Sequence, residues 1–298
     1  MKIAYQGIAG SYSETTIQNY LKQDKNHALE AELVSYSNFK EMTQDLVRDA
    51  IDLAVFPVEN STTGLITRTL DLFKGLPIFV EEERYQEVRH TLWGLPGSSI
   101  GDLRKVYSHP EALSQSQAFF EKYPHIEAVP YIDTAQAARY VQEEQDLTKA
   151  ALAGPQNGEL YHLIPLLNQI QSEKTNTTRF FMTKHWQRSE KTIEKELEVY
   201  YQKYPERTRW MLYVETKHEP GSLVTLLNIF NLFDCNLEGL DARPIRNQPF
   251  KYGFFIEVDM SNLVGNYHLL WKNLEYASEY LQIIGCFKPV NIEQGDLM

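Results

Sequence analysis

The sequence predicts an α/β fold: a two-lobed domain over residues 1–183, a linker over 184–207 and a smaller βαββαβ domain over 208–298. Three observations carry this. Short apolar runs alternate with helical periodicity through the first part of the chain, the pattern of strands covered by helices. The strands outnumber what one small open sheet needs, so two lobes with a cleft between them are expected, with crossovers near residues 80–90 and 155–175. A compact block with its own strand and helix order then follows a charged segment.

In chain order, the expected strands of the large domain are Ile3–Tyr5, Leu33–Tyr36, Leu53–Phe56, Ile78–Val80, Thr91–Leu95, Lys105–Tyr107, Ala128–Tyr131 and Ala150–Ala153. Each is short, apolar and bounded by loop residues, as in mostly parallel sheets. Lys184–Arg207 is charged and weakly apolar, a linker with some helix. In the last block, strand Trp210–Thr216 leads through Glu219-Pro220-Gly221-Ser222 into helix Leu223–Phe233. Strands Cys235–Pro244 and Tyr252–Met260, helix Asn266–Tyr280 and strand Leu281–Phe287 complete a ferredoxin-like order.

Composition narrows the function. A hydrophobic content of 43% and a charged content of 23% are those of an ordinary globular protein. The net charge of −11 argues against nucleic acid or an anionic membrane as a partner. Cys235 and Cys286 lie far apart in a strand-rich region, and two buried small hydrophobes are expected there rather than a disulfide or a metal site. Neither a signal peptide nor an 18-residue apolar run is visible, so a cytoplasmic protein is expected. The chain carries no Walker loop, nucleotide fingerprint, metal-spaced His/Cys cluster or serine elbow, and no cofactor and no metal are expected.

What the sequence does repeat is a loop. Four apolar runs break into Gly, Ser, Thr or Asn before an amphipathic stretch: IAYQGIAGSYSE from Ile3, LAVFPVENSTTG from Leu53, KVYSHPEALSQ from Lys105 and AVPYIDTAQAA from Ala128. Such loops put N–H groups and hydroxyls at helix starts, where anions are favoured, and several of them converging would hold a small multiply charged acid. Asn60 and Ser61 can cap a helix, Ser108 or His109 caps the helix begun by Pro110, and Asp133 caps with Thr134 as a further donor. In NTTRF, from Asn176 to Phe180, Thr177 and Thr178 offer hydroxyls and Arg179 a planar fork for a carboxylate. The same run also reads as an ordinary strand with a surface arginine.

In this order the glycine loop with SYSE, PVENSTTG, SHPEALSQ, DTAQAA, NTTRF, EPGSLV and CNLEGLDARP resemble the prephenate dehydratase family over nearly the whole chain. The resemblance implies a two-lobed catalytic domain like a type II periplasmic binding protein and a C-terminal ACT regulatory domain. It implies conversion of prephenate to phenylpyruvate with loss of water and carbon dioxide, feedback control by phenylalanine, and a homodimer or homotetramer. By that likeness Thr178 is the catalytic hydroxyl and Arg179 the partner of a substrate carboxylate. Ser11, Asn60, Ser61, Ser108, His109, Thr134 and Phe180 are the implied substrate-binding residues, and Gly221, Ser222, Leu223, Asn236 and Leu237 the phenylalanine pocket. Ile8, Glu111, Ser116 and Asp241-Ala242-Arg243-Pro244 depart from the family pattern. Two other readings stay open: a dehydratase for arogenate, and a non-catalytic small-acid sensor of the same fold.

Overall fold

The computed structural model describes residues 1–23, 30–171, 175–186 and 193–290. The first lobe contains β1 (Lys2–Gln6), α1 (Tyr12–Leu21), β2 (Glu32–Tyr36), α2 (Phe39–Val47), β3 (Leu53–Asn60), β4 (Gly64–Leu65), α3 (Thr67–Phe73) and β5 (Ile78–Glu87). The second contains β6 (Thr91–Gly94), β7 (Lys105–Ser108), α4 (Pro110–Ser114), α5 (Gln117–Lys122), β8 (Glu127–Pro130), α6 (Thr134–Glu144), β9 (Lys149–Ala153), α7 (Asn157–Leu160) and β10 (Ile164–Leu167). The chain returns to the first lobe as β11 (Thr177–His185). Then follow α8 (Ile193–Lys203), β12 (Arg209–Thr216), α9 (Ser222–Leu232), β13 (Asn236–Pro244), β14 (Tyr252–Asp259), α10 (Tyr267–Ala277) and β15 (Ser278–Phe287).

The expected α/β class and its two lobes are present, but the lobes are mixed sheets rather than mostly parallel ones. β1 is parallel to β2 and β3, whereas β11 is antiparallel to its neighbours β3 and β5. In the second lobe β7 is parallel to β8 and β9, and β6 is antiparallel to β9 and β10. The reversed strands, β6 and β11, are those by which the chain enters a lobe. A strand that starts at the cleft must run against neighbours that end there, and it needs no crossover helix.

The C-terminal strands pair antiparallel in the order β13-β14-β12-β15, the ferredoxin-like arrangement. This sheet continues into the first lobe, because Gly285 of β15 pairs with Val80 of β5 and the two join in one ten-stranded sheet. Along β12 the side chains alternate with period two. Met211 and Tyr213 pack with Phe56, Phe73 and Phe181 of the first lobe, while Trp210, Leu212 and Val214 pack in the core that Leu197 of α8, Leu226 of α9 and Leu270 of α10 share. Both faces are covered, so the strand is apolar nearly throughout.

The stretch expected as a linker is thus partly structural: β11 runs on to His185, and α8 buries Leu197 against the C-terminal sheet. Residues 187–192 of that stretch lie outside the described residues. Polar contacts fix the same junction. Gln282 Nε2 donates to the carbonyls of Phe73 and Leu76 at 3.1 and 2.9 Å, and Arg243 pairs with Asp71 at 2.7 Å. Cys235 and Cys286 are buried free thiols, as expected.

Gly285 is where the two sheets touch. A methyl group there would lie 2.5 Å from both Cβ and the carbonyl oxygen of Val80 and 2.9 Å from its Cα, so backbone would have to move. Gly285→Ala is expected to destabilise the protein by about 1–3 kcal/mol, the usual cost of overpacking. Urea denaturation checks this, and unchanged stability would contradict a close-packed junction.

Candidate active site

A cleft of about 230 Å3 lies between the lobes, lined by Gln6, Gly7, Ser11, Tyr12, Asn60, Arg68, His90, His109, Glu111, Gln115, Asp133, Thr134, Asn176, Thr178 and Phe180, among others. On the first lobe's side, Gly7 and Gly10 turn the chain between β1 and α1 with φ of +120° and +87°. Ser11 and Glu14 form a capping box: Glu14 N–H donates to Ser11 Oγ at 3.3 Å and Gly10 N–H donates to Glu14 Oε2 at 2.6 Å. Ser11 therefore faces the cleft with a hydroxyl whose acceptor side is used by its own helix.

Two adjacent strands supply the centre. Thr178 of β11 pairs directly with Asn60 of β3, and Asn60 Nδ2 donates to Thr178 Oγ1 at 3.0 Å and to Asn176 Oδ1 at 2.8 Å. Asn60 Oδ1 accepts from the N–H groups of Thr62 and Thr63, so the side chain that meets Thr178 is clamped at both ends. This is an Asx turn, not the helix cap expected at Asn60 and Ser61; the next helix begins at Thr67. Thr178 Oγ1 accepts from Asn60, so its own proton is available to donate into the cleft that the side chain lines.

The second lobe closes on this face through polar contacts. His109 caps α4, its Nδ1 accepting from Glu111 N–H at 3.2 Å, and Asp133 caps α6 beside Thr134. Gln115 Nε2 donates to Thr62 Oγ1 at 3.0 Å while its Oε1 accepts from Asn176 at 2.8 Å, bridging the lobes. At the other end Asn157 and Gln156 donate to the carbonyl of Gly10 at 3.0 and 2.7 Å, and Tyr161 donates to the carbonyl of Ala9 at 2.6 Å. Gly10 is required for this approach: a side chain there would collide with Asn157 Oδ1.

Of the residues expected at the site, Ser11, Asn60, His109, Thr134, Thr178 and Phe180 line the cleft, and three do not. Ser61 hydrogen-bonds the Thr175 carbonyl and the Thr177 N–H, tying the β3 turn to β11. Ser108 is fully buried and donates to the Leu152 carbonyl at 2.7 Å. Arg179 is the larger correction. Neighbouring strand residues point to opposite faces, so with Thr178 and Phe180 toward the cleft, Arg179 turns away from it. Its guanidinium is buried against Glu83 at 2.8 Å and forks onto both oxygens of Glu257 at 2.7 and 2.8 Å.

The cationic residue in the cleft is instead Arg68, at the start of α3. It lies near enough to His109 that its charge, after burial, helps hold the His109 imidazole below its ordinary value. His90, just before β6, is also new. It is buried, its Nδ1 has no hydrogen-bond partner, and burial pushes its imidazole down to about 4. Asn176 and Gln115 stand inside the motifs NTTRF and SHPEALSQ, so their sequence position alone marked them. Nothing local marked Arg68 or His90. Among the described residues, no group of three His, Cys, Asp or Glu is placed to hold a metal ion.

A second cavity of about 220 Å3 lies in the C-terminal domain, lined by Gly221, Ser222 and Leu223 with Glu219, Ile245, Phe250, Lys251 and Tyr252. Asn236 and Leu237 do not line it. They begin β13, where Asn236 pairs with Asp259, whereas the cavity borders the strand's far end, where Pro244 pairs with Tyr252. At about 3.3 Å per residue the two ends are ~25 Å apart.

Comparisons with known proteins agree with one another. The family profile described as prephenate dehydratase matches residues 3–188. Arogenate dehydratase/prephenate dehydratase 1 of Arabidopsis thaliana is 30% identical over 302 residues, covering 96% of this chain and 72% of that protein. The prephenate dehydratase structure from Staphylococcus aureus superposes with a TM-score of 0.75 at 26% identity, covering 96% of this chain and all of that one. The Arthrobacter aurescens prephenate dehydratase, solved in complex with L-Phe, has the same fold, with a TM-score of 0.80, 20% identity and coverage of 97% and 90%.

His90 gives the cleft a measurable pH signature. Its folded pKa of about 4 lies below the ordinary 6.5. Between those values the unfolded chain binds more protons, so the His90 contribution to stability is full above about 6.5 and is lost as pH falls toward 4, in total roughly 3 kcal/mol. In His90→Gln that part of the pH dependence is expected to vanish. Urea unfolding from pH 7 to 4.5 checks it, and equal slopes for the two proteins would contradict the assignment.

Proposed function

The chain belongs to the prephenate dehydratase family, a family of hydro-lyases, and we propose that the interlobe cleft performs the reaction with Thr178 as its working hydroxyl. The observation that carries this is the Asn60–Thr178 hydrogen bond at 3.0 Å inside a cleft closed by both lobes. Prephenate carries two carboxylates and a ring hydroxyl. Loss of carbon dioxide delivers its bonding electrons to the ring as the carbon–oxygen bond breaks, hydroxide departs and gains a proton, and aromatisation drives the change. The site must hold a dianion and stabilise departing hydroxide; no covalent intermediate is needed.

A threonine hydroxyl is too weak an acid to give up its proton outright, but a fixed donor strengthens its bond as negative charge develops. Asn60 supplies the fixing. Arg68, rather than Arg179, is placed to pair with a carboxylate, aided by the donors of His109 and Thr134 around it. The same lining favours a second reading. Glu111 and Asp133 border the cleft and would suit the ammonium that arogenate carries in place of the keto group. Comparing kcat/KM for the two substrates decides between them.

The C-terminal unit is read as an ACT domain whose cavity at Gly221, Ser222 and Leu223 takes phenylalanine and inhibits the enzyme. In this reading the chain pairs as a homodimer and the partner completes that cavity. β13 is the edge strand of its sheet, with Leu240 exposed at its middle. Antiparallel pairing of two such edges about Leu240 sets the partner's Asn236 opposite Pro244, beside the cavity that this chain's own Asn236 does not reach.

Thr178→Ala is expected to lower kcat by about 10²–10³ with a much smaller change in KM, as loss of a transition-state donor does. Arg68→Ala is expected to raise KM roughly tenfold or more, through loss of a charge-assisted bond. Steady-state kinetics with prephenate check both; turnover of the Thr178 variant within threefold of the parent would refute the role. In Gly221→Val, at φ +86°, phenylalanine inhibition is expected to disappear while uninhibited activity stays, and retained inhibition would place the effector elsewhere.

A further inference from the structure

The correction at Arg179 leaves a question: what does a buried arginine do directly behind Thr178? Its guanidinium joins two domains. Glu83 belongs to β5 of the first lobe and Glu257 to β14 of the C-terminal domain. All three side chains are buried, and Arg179 also lies over the rings of Phe181 at 5.0 Å and Phe287 at 5.7 Å, one from each domain. Glu257 accepts a further bond from Arg209 at 3.0 Å, and Glu83 Oε1 accepts from the Val290 N–H at 2.8 Å. Burial by itself would favour the neutral acid, yet the hydrogen bonds and charges of Arg179 and Arg209 hold the Glu257 carboxyl below its ordinary value.

The ladder on one side of β11 is irregular at this point, while on the other side β11 stays in register with β5 here. Arg179 pairs with Glu59 but Phe180 pairs with Pro57, so Val58 is bulged out of the ladder between β3 and β11. Bulges beside sites re-aim side chains, and here the bulge adjoins the Asn60–Thr178 pair. Asn60 holds the Thr178 hydroxyl from the β3 side, and the anchored Arg179 holds the same stretch of β11 from the opposite face.

We propose that Glu257, a residue of the C-terminal domain, is a positioning residue for Thr178, acting through its two-pronged ion pair with Arg179. The pair pulls β11 against the C-terminal sheet and thereby sets where the Thr178 hydroxyl stands relative to Asn60. It gives the C-terminal domain a direct mechanical hold on the cleft. The inference rests on the catalytic reading of Thr178.

The test is a kinetic comparison of Glu257→Gln, which keeps the shape and removes the charge, with Arg179→Lys, which keeps the charge and removes the fork. Each is checked for a cooperative thermal transition and parental circular dichroism. For a folded Glu257→Gln we expect kcat with prephenate to fall about tenfold or more, since small misplacements of a reacting group are costly, with KM within twofold of the parent. Arg179→Lys should show the same split, and the double variant should lose little beyond either single one. If Glu257→Gln does not fold, Glu257→Asp carries the same expectation. A folded Glu257 variant with parental kcat overturns the proposal, as do losses in the two singles that multiply in the double. Thr178→Ala is measured alongside: if it keeps its turnover, the catalytic reading has failed, whereas a dead Thr178→Ala beside a fully active Glu257→Gln sinks the positioning role alone.

Discussion

Strand β11 is the element on which the rest of this structure depends, because its period-two alternation lets one strand serve three parts of the molecule. It enters from the second lobe, lies between β3 and β5 in the first, and faces the C-terminal domain behind. Thr178 and Phe180 look into the cleft, while Arg179 and Phe181 look into the shared core and its ion cluster. Removing one partner of such a buried pair leaves an uncompensated charge, so the cluster is costly to disturb even if it adds little net stability. Its geometry ties β11, the strand that carries Thr178, to the C-terminal domain.

The lobes, by contrast, are held together by individually modest contacts. Gln156 and Asn157 on the Gly10 carbonyl, Tyr161 on the Ala9 carbonyl and Gln115 between Thr62 and Asn176 are neutral hydrogen bonds, each worth about 0.5–1.5 kcal/mol. The C-terminal domain shares an apolar core and a continuous sheet with the first lobe. The first lobe and the C-terminal domain are thus joined by apolar packing and a continuous sheet, and the two lobes by neutral hydrogen bonds.

Much of this was legible in the sequence. Apolar runs bounded by turn residues gave the strands to within a few residues in most cases, and the βαββαβ order of the last block was complete because each element carries its own periodicity. The short β4 and β10 were not anticipated, since neither run is long enough to show a pattern. Asn60, Thr178, His109 and Thr134, which their motifs marked as hydroxyl, amide or capping residues, all line the cleft. Arg179 was assigned to a substrate carboxylate from its planar fork and the family resemblance, yet it adjoins Thr178 in a strand, and adjacency there means opposite faces. Ser61 and Ser108 were hydroxyls in the right loops whose bonds go to local backbone. Arg68 and His90 left no local trace, since only the packing of α3 and the β5–β6 crossover brings them to the cleft.

On the reading proposed for Thr178, this cleft breaks the carbon–oxygen bond of prephenate rather than merely holding an acid. The direct measurement is to mix purified protein with prephenate at neutral pH and follow phenylpyruvate by its absorbance. Many turnovers per chain are expected, with carbon dioxide released in equal amount. Saturable binding of prephenate with no phenylpyruvate above the uncatalysed rate would make the protein a receptor, and the account of Thr178 would be wrong.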